Sequence, residues 1–556
     1  MQQNVRGHDA IDLSHHLSDL AKSRSVSPLK GLAKYLNNPD LIALAGGMPH
    51  PAYFPFSEIS GEVLVPDSFA LESESSSTSW FWRLFGAGSS TKERTTHQTI
   101  PKYPSKATPL NLAKSLQYGT ATGLPELQEF LKEFTQKVYD PAYKNYSVLV
   151  HAGNTDGWCK AVQTLCNPGE GFLTEDWTYP SALSTARPLG LIPVPVEMDG
   201  EGMRADSLRK VLSEWDEKAH GGMKRPHVMY TVPIGQNPSG ATMGAARKKA
   251  IYDVCVDFGR SYTGEGYHYA KDRSDVIIVE DDPYYFLQEG EYVPKEQRVL
   301  QSASFTKGKE EEEYVASLAP SYLKFDTQGR VVRLETFSKT IAPGSRLGWF
   351  TCNPVFAERL ERQGETSTQS PCGFGQSLIT QALLTWKYDG YIRWLRGLGQ
   401  EYKSRRDHFI DCLADEFQLT RTSNHGVNAW VGCNVYSASD KILSATDEKQ
   451  IFGRRRYFSF VPPSAGMFIW LKMDFSSHPR LAAEGEQSLE MKLWAALAEA
   501  GVLISPGWFF SPDGEDDASP GQGVGHYRIS FSNAQFDVMN KAVKIMGSVM
   551  RDFFQA

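Results

Sequence analysis

The sequence predicts an α/β protein built on a largely parallel sheet. Three observations point there: continuous apolar runs of strand length, helical stretches between them, and polar, turn-forming residues at the ends of the runs. Residues 146–151 read as a buried strand, and 156–165 as a helix stopped by Asn167-Pro168-Gly169. Residues 171–174, 191–196, 227–232 and 276–280 read as further strands, with a helix over 247–258. Residues 331–336 and 347–351 complete the series. Ligands of such sheets bind beyond the carboxyl ends of the strands, so the polar residues after each run are the ones to weigh.

The chain has 556 residues, enough for three or four ordinary domains or one large two-lobed enzyme. A hydrophobic share of 41% excludes a disordered chain, and a net charge of −7 argues against nucleic acid or an anionic membrane as the main partner. The seven cysteines form no CxxC pair and no metal-ligand spacing with histidine, which predicts free thiols in a reducing compartment and no metal. The first residues hold no apolar core of a secretory signal, and no apolar run reaches the ~18 residues of a membrane span. A cytoplasmic protein is expected.

Four polar stretches interrupt the pattern. The first, 66–104, is Ser-rich and carries Trp80-Phe81-Trp82, expected to dock that loop on the body. The second spans about 261–274. The third spans about 289–330, where Glu310 to Glu313 reads as a solvated loop. The fourth spans about 435–456 and ends in Arg454-Arg455-Arg456, read as an exposed face.

The strand exits hold the chemistry. His151-Ala152-Gly153-Asn154-Thr155 opens a helix and offers backbone N–H groups to an anion, although a plain cap explains it as well. Asn237-Pro238-Ser239-Gly240 follows another strand as a turn. Glu280-Asp281-Asp282 sets adjacent carboxylates at a buried strand end, which is costly unless a cation or donor meets them. Lys339 follows Thr336-Phe337-Ser338, where a lysine can lose its proton and act as a nucleophile. Arg528 is placed at the start of a further alternating run. Taken singly, Lys339 is also a surface lysine, Asp281 a helix cap and Arg528 a salt-bridge residue.

Their order changes that. With Ala43 to Pro49, Gln117-Tyr118-Gly119, Gly123 to Leu127, Asn237 to Gly240, Glu280 to Tyr285, Phe337 to Thr340, Pro343 to Gly348 and Pro463 to Met467, the chain resembles the fold-type-I pyridoxal 5′-phosphate (PLP) aminotransferases. Within them it resembles the aromatic amino acid and 2-aminoadipate/kynurenine branch, in particular the fungal aromatic aminotransferases. The resemblance runs from about Ser27 to the end, interrupted by the inserts. It implies a large domain with a mostly parallel central sheet, over 105–352, and a smaller α+β domain over 353–556. Residues 1–65 would contribute to the small domain and the substrate pocket.

The resemblance also implies roles. Lys339 matches the Schiff-base lysine and then the proton shuttle. Asp281 would hold the pyridine nitrogen, and is favoured over Asp282 because Tyr284 follows it by three residues. Tyr284 and Asn237 would donate to the phenolic oxygen, and Tyr179 would stack on the ring. Asn154 and Thr155, Thr336, Ser338 and Arg346 would hold the phosphate, with Tyr118 reaching the phosphate of a second subunit in a homodimer. Arg528, assisted by Asn237, would grip the substrate α-carboxylate. Gly47 and Lys30 would line the side-chain pocket, Lys30 standing where many relatives carry an arginine for an acidic substrate.

The reaction implied moves the amino group of an aromatic L-amino acid (Phe, Tyr or Trp) to a 2-oxo acid such as 2-oxoglutarate, by a ping-pong route. The rival within the class is a 2-aminoadipate or kynurenine aminotransferase. A ligand-sensing regulator with an aminotransferase-like domain is disfavoured, because a DNA-binding helix-turn-helix has no room before Gly46. A chain that had lost catalysis is disfavoured by the presence of Lys339, Asp281 and Arg528.

Overall fold

The computed structural model describes residues 7–28, 45, 47–69, 94–104, 110–258, 260–263, 266–269, 275–298, 306, 308–423, 430, 432–441, 455–512 and 523–555. The predicted strands form a seven-stranded sheet. They are β1 (Ser147–His151), β2 (Gly171–Glu175), β3 (Ile192–Val196), β4 (Val228–Thr231), β5 (Ile277–Asp281), β6 (Val331–Thr336) and β7 (Gly348–Cys352). Their order is β1-β7-β6-β5-β4-β2-β3. β4, β5 and β6 run parallel, as do β2, β3 and β4, whereas β7 is antiparallel to both β6 and β1. Every residue of β2, β4, β5, β6 and β7 is buried, including the charged residues Glu175, Glu280, Asp281, Arg333 and Glu335.

The second sheet has six strands: β8 (Gln418–Ser423), β9 (Asn434–Ser439), β10 (Arg456–Phe460), β11 (Phe468–Asp474), β12 (Ser505–Pro506) and β13 (Val524–Ser530). Its order is β8-β9-β10-β11-β13-β12, and its pairings are antiparallel. A helix over Gly373–Glu416, kinked at Lys387, joins it to the first sheet. The C-terminal helix Phe536–Gln555 buries Met539, Val543, Met546, Met550 and Phe554 against the same core as β10 and β11. Among the described residues, no helix is long and apolar enough to cross a membrane.

The polar stretches are more structured than their composition predicts. Within 66–104 the strand Thr95–Pro101 pairs antiparallel with Glu58–Leu64, while Trp80 to Trp82 lie outside the described residues. Within 261–274 lies part of a hairpin, Arg260–Thr263 with Gly266–Tyr269. The acidic run in 289–330 is not a loop. It forms the first turn of a helix, Glu310–Ser317, where carboxylates meet the positive end of the helix dipole. That helix buries Tyr314, and Glu311 pairs with Arg393 at 3.1 Å. In the fourth stretch, residues up to Ser439 belong to β9, because Val435, Tyr436 and Ala438 are buried in the sheet's core. Arg456 is exposed as expected and pairs with Asp474, while Arg454 lies outside the described residues.

The described part of the N-terminal segment is attached to the first sheet's helices. Leu13, Leu17 and Ala21 are buried with Trp158, Leu165 and Phe356. The Ser18 amide donates to Thr164 O and its hydroxyl to Gln163 O.

The cation demanded by the carboxylates at the end of β5 is Arg333, on the neighbouring strand. Its fully buried guanidinium lies 3.1 Å from Glu280, 3.0 Å from Asp282 and 2.7 Å from Glu335. It also stacks over the rings of Tyr139 at 4.1 Å and Tyr285 at 4.8 Å. Burial pushes Asp282 up to about 6 and Glu335 up to about 7, against the pull of Arg333. Arg333→Met should therefore destabilise the fold by about 3–5 kcal/mol in chemical unfolding at neutral pH. Unfolded carboxylates titrate near ~4, so these folded carboxyls take up protons as pH falls toward that value. The deficit of the variant should accordingly shrink between neutral pH and pH ~5. A pH-independent deficit would show that charge is not its cause.

Candidate active site

The carboxyl ends of β1, β4, β5 and β6 open into a cavity of about 450 Å³. Asn154, Thr155, Tyr179, Asn237, Asp281, Tyr284, Thr336, Ser338, Lys339, Arg346 and Arg528 all line it. These residues come from six chain regions, and only the fold brings them together. Tyr118 does not line this cavity and its side chain is 63% exposed; Gly47 is exposed as well. Lys30 lies outside the described residues.

Asp281, the last residue of β5, presents its carboxylate to the cavity with both oxygens already engaged. Oδ1 accepts from Asn154 Nδ2 and Oδ2 from the Tyr230 hydroxyl, each at 2.6 Å. Burial raises the Asp281 carboxyl, and the two donors oppose that rise by favouring its charged form. The Asn154 side chain thus supports Asp281, leaving the backbone N–H groups of Asn154 and Thr155 for an anion. Tyr230 was not singled out from the sequence. Its one signal there is a tyrosine inside a buried apolar strand, whose hydroxyl needs a partner.

The opposite end of the cavity is built for an anion. The helix Asn154–Leu165 begins at Gly153, whose φ of 96° suits glycine. A Cβ there would stand 2.2 Å from Arg346 Nη2, so the position must lack a side chain for the guanidinium to lie against the helix N-terminus. Arg346 is anchored through Nη2 to Ala152 O at 2.8 Å and through Nη1 to Pro343 O at 2.9 Å. Its Nη1 is also 3.4 Å from Ser338 Oγ, and Ser338 is tied to Thr336 by hydroxyl and amide contacts. Guanidinium, hydroxyls and helix N-terminus together form a phosphate-sized cradle.

Lys339 lies between the two ends. Burial lowers its amine first, and the positive charge of Arg528 lowers it further, which favours the neutral, nucleophilic form. Arg528 is the fifth residue of the seven in β13 rather than the first, and its side chain crosses to the cavity. Nη1 donates to Asn237 Oδ1 at 2.8 Å and Nη2 to Ser505 Oγ at 3.1 Å. The guanidinium is held between the rings of Phe468 at 4.3 Å and Phe510 at 4.9 Å. Its Nε is buried and makes no hydrogen bond, as is true of Asn154 Oδ1. Ser505, Phe468 and Phe510 carry no sequence signal of this role, because they reach Arg528 only through sheet pairing and packing.

Residues 93–260 match the family described as aminotransferase class I and II. An aromatic amino acid aminotransferase of Schizosaccharomyces pombe is 33% identical over 550 residues, covering 98% of each chain. An L-tyrosine:2-oxoglutarate aminotransferase of Serpula lacrymans is 30% identical over 588 residues, covering 99% of this chain and 98% of its own. The crystal structure of the aminotransferase Aro8 from Candida albicans superposes with a TM-score of 0.79 at 31% identity, covering 99% of this chain and all of that one. The fold is that of the fold-type-I transferases. With its strand-end lysine, aspartate and arginines gathered in one cavity, and with relatives of this identity along nearly its whole length, the chain belongs to the class I and II aminotransferases.

Proposed function

We propose that the protein is a PLP-dependent aminotransferase that moves the amino group of an aromatic L-amino acid to a 2-oxo acid such as 2-oxoglutarate. The observation that carries this reading is the meeting of Lys339, Asp281, Arg346 and Arg528 in one cavity. The relatives named above supply the substrate class. The donor set fits PLP: a cradle for its phosphate, a supported carboxylate for its ring nitrogen, an amine for its aldehyde carbon, and the unused acceptor Asn154 Oδ1. When bound, PLP supplies the electron sink that makes an amino-acid Cα proton removable.

The chain's own residues do the rest. Arg346, Ser338, Thr336 and the helix N-terminus would hold the phosphate. Asp281, whose charged form Asn154 and Tyr230 favour against the effect of burial, would hold the ring nitrogen. Tyr284 and Asn237 would bind the phenolic oxygen, and Tyr179 would lie against the ring. Lys339 would hold the cofactor through its amine and, once that amine is free, would take up the proton at the substrate Cα. Arg528 offers its free Nε, with its Nη groups, to the α-carboxylate, and Asn237 and Ser505 fix the plane of that fork. The same α-carboxylate is present on amino acid and oxo acid, so Arg528 serves both half-reactions.

We further propose a homodimer in the cytoplasm. Tyr118 is exposed and away from the cavity of its own chain, as a residue reaching a second subunit's phosphate would be. All seven cysteines are free thiols, as suits a reducing compartment.

Lys339→Ala should abolish turnover while retaining PLP non-covalently. Borohydride reduction and peptide mapping should label Lys339 in the wild type and no lysine in the variant; labelling elsewhere would refute the assignment. Arg528→Ala should lower kcat/KM for aromatic and acidic substrates alike, by about 100-fold, as expected for two charge-assisted hydrogen bonds. Lys30→Ala should lower it by about tenfold for glutamate and 2-oxoglutarate, with a much smaller change for phenylalanine. Equal losses for both substrate types would remove Lys30 from the pocket. Sedimentation should find a dimer, and Tyr118→Phe should release PLP more readily on dialysis, with a fully active monomer counting against the shared site.

A further inference from the structure

At the opposite end of the central sheet, a group of side chains has no part in this chemistry. His15 and His16 stand in a one-turn helix, Ser14–His16, of the N-terminal segment. The fold brings them to Asp275, 260 residues beyond His15 and just ahead of β5. His15 Nε2 is 3.2 Å and His16 Nε2 3.0 Å from the same oxygen, Asp275 Oδ1, and the three atoms lie within 4.8 Å of one another. Two atoms about 2.0–2.1 Å from one zinc ion at the tetrahedral angle stand about 3.3–3.4 Å apart, close to the two nitrogen–oxygen spacings.

The surrounding bonds indicate what His16 Nε2 has to offer. His227 Nε2 lies 3.3 Å from Glu170 Oε2, and His227 Nδ1 lies 3.0 Å from His16 Nδ1. If His227 donates through Nε2 to Glu170 and accepts at Nδ1, His16 donates through Nδ1 and its Nε2 carries a lone pair. That atom is fully buried and makes no hydrogen bond of acceptable geometry, although Asp275 Oδ1 is 3.0 Å away. Such an offset is expected of two atoms that bind one ion, because the ion occupies the apex of the triangle they form with it. Arg330 holds the other oxygen, Asp275 Oδ2, and so orients the carboxylate. The chain Glu170–His227–His16 is the kind of outer support that fixes the tautomer of a ligating imidazole. His15 is 40% exposed and keeps one side of the group open to water.

We propose that His15 Nε2, His16 Nε2 and Asp275 Oδ1 form a site for a divalent transition-metal ion of the zinc class, with water at the fourth position. Two imidazoles and a carboxylate suit zinc rather than magnesium or calcium. The ion would pin the N-terminal segment to the amino-terminal ends of β5 and β4, at the opposite end of the strands from the cavity. The sequence spacing hides the site because its third ligand is distant in the chain.

The test uses untagged, cofactor-loaded protein, stripped with a chelator and titrated with Zn²⁺ and, separately, Co²⁺. One equivalent of zinc should remain per chain after gel filtration by elemental analysis, the cobalt form should show four-coordinate visible bands, and Tm should rise with zinc. His15→Gln, at an exposed position, should fold as the wild type does and bind zinc at least about tenfold more weakly. His16→Gln should lose the ion altogether. Failure of the wild type to retain zinc at micromolar concentration, or equal retention by His15→Gln, would overturn the site and leave a proton between His16 and Asp275.

Discussion

The guanidinium of Arg333 lies between three buried carboxylates, Glu280, Asp282 and Glu335, immediately behind the strand end that presents Asp281. The arrangement is costly in isolation, because four charged groups leave water together. It holds because each carboxylate meets the same cation and Tyr139 and Tyr285 cover its faces. Lys248, also fully buried, stands 3.9 Å from Glu280 and adds a second positive charge. The consequence for function is positional. Asp282 is occupied from behind, so Asp281 is the carboxylate that faces the cavity, and its own two donors come from β4 and from the helix after β1. The end of the central sheet is thus held by a charge network behind β5 and the cavity-facing Asp281 by two neutral donors in front of it.

A second constraint joins the two sheets. Arg528 belongs to β13, yet its guanidinium is fixed by Asn237 from the turn after β4 and by Ser505 from β12. The ring of Phe468 on β11 supports it from its own sheet. Arg406, fully buried in the long connecting helix, acts similarly by donating to Pro463 O and Gly290 O, one on each side of the junction. The placement of the Arg528 guanidinium is therefore coupled to how the smaller sheet sits on the larger one. The α-carboxylate would be held by a residue of one sheet and the cofactor by residues of the other.

The elements that were legible in the sequence are those in which local pattern and tertiary environment agree. β4 and the apolar starts of β5 and β6 are buried throughout and announce themselves by their Val, Ile, Met and Tyr residues, whereas the buried Arg333 and Glu335 of β6 do not. The polar stretches were less legible, for identifiable reasons. Glu310 to Glu313 reads as a solvated run, but carboxylates at a helix start are favoured by the dipole and Tyr314 anchors the turn. Thr95–Pro101 is polar because its outer half is exposed, and only pairing with Glu58–Leu64 makes it a strand.

For the site the division is similar. Lys339, Asp281, Asn237, Arg346 and Arg528 could be named because their order along the chain, with the turns around them, resembles that of the aminotransferases. Tyr230, Ser505, Phe468, Phe510 and Arg333 could not, since each acts through a neighbour supplied by another strand. The same is true of His15, His16 and Asp275. By itself the sequence determined the α/β class, the buried strands and the set of reactive side chains, all of which are written in local composition and order. Only the tertiary structure decided which groups support, neutralise and aim those side chains, because hydrogen bonds and ion pairs across a sheet depend on distance in space and not on separation along the chain.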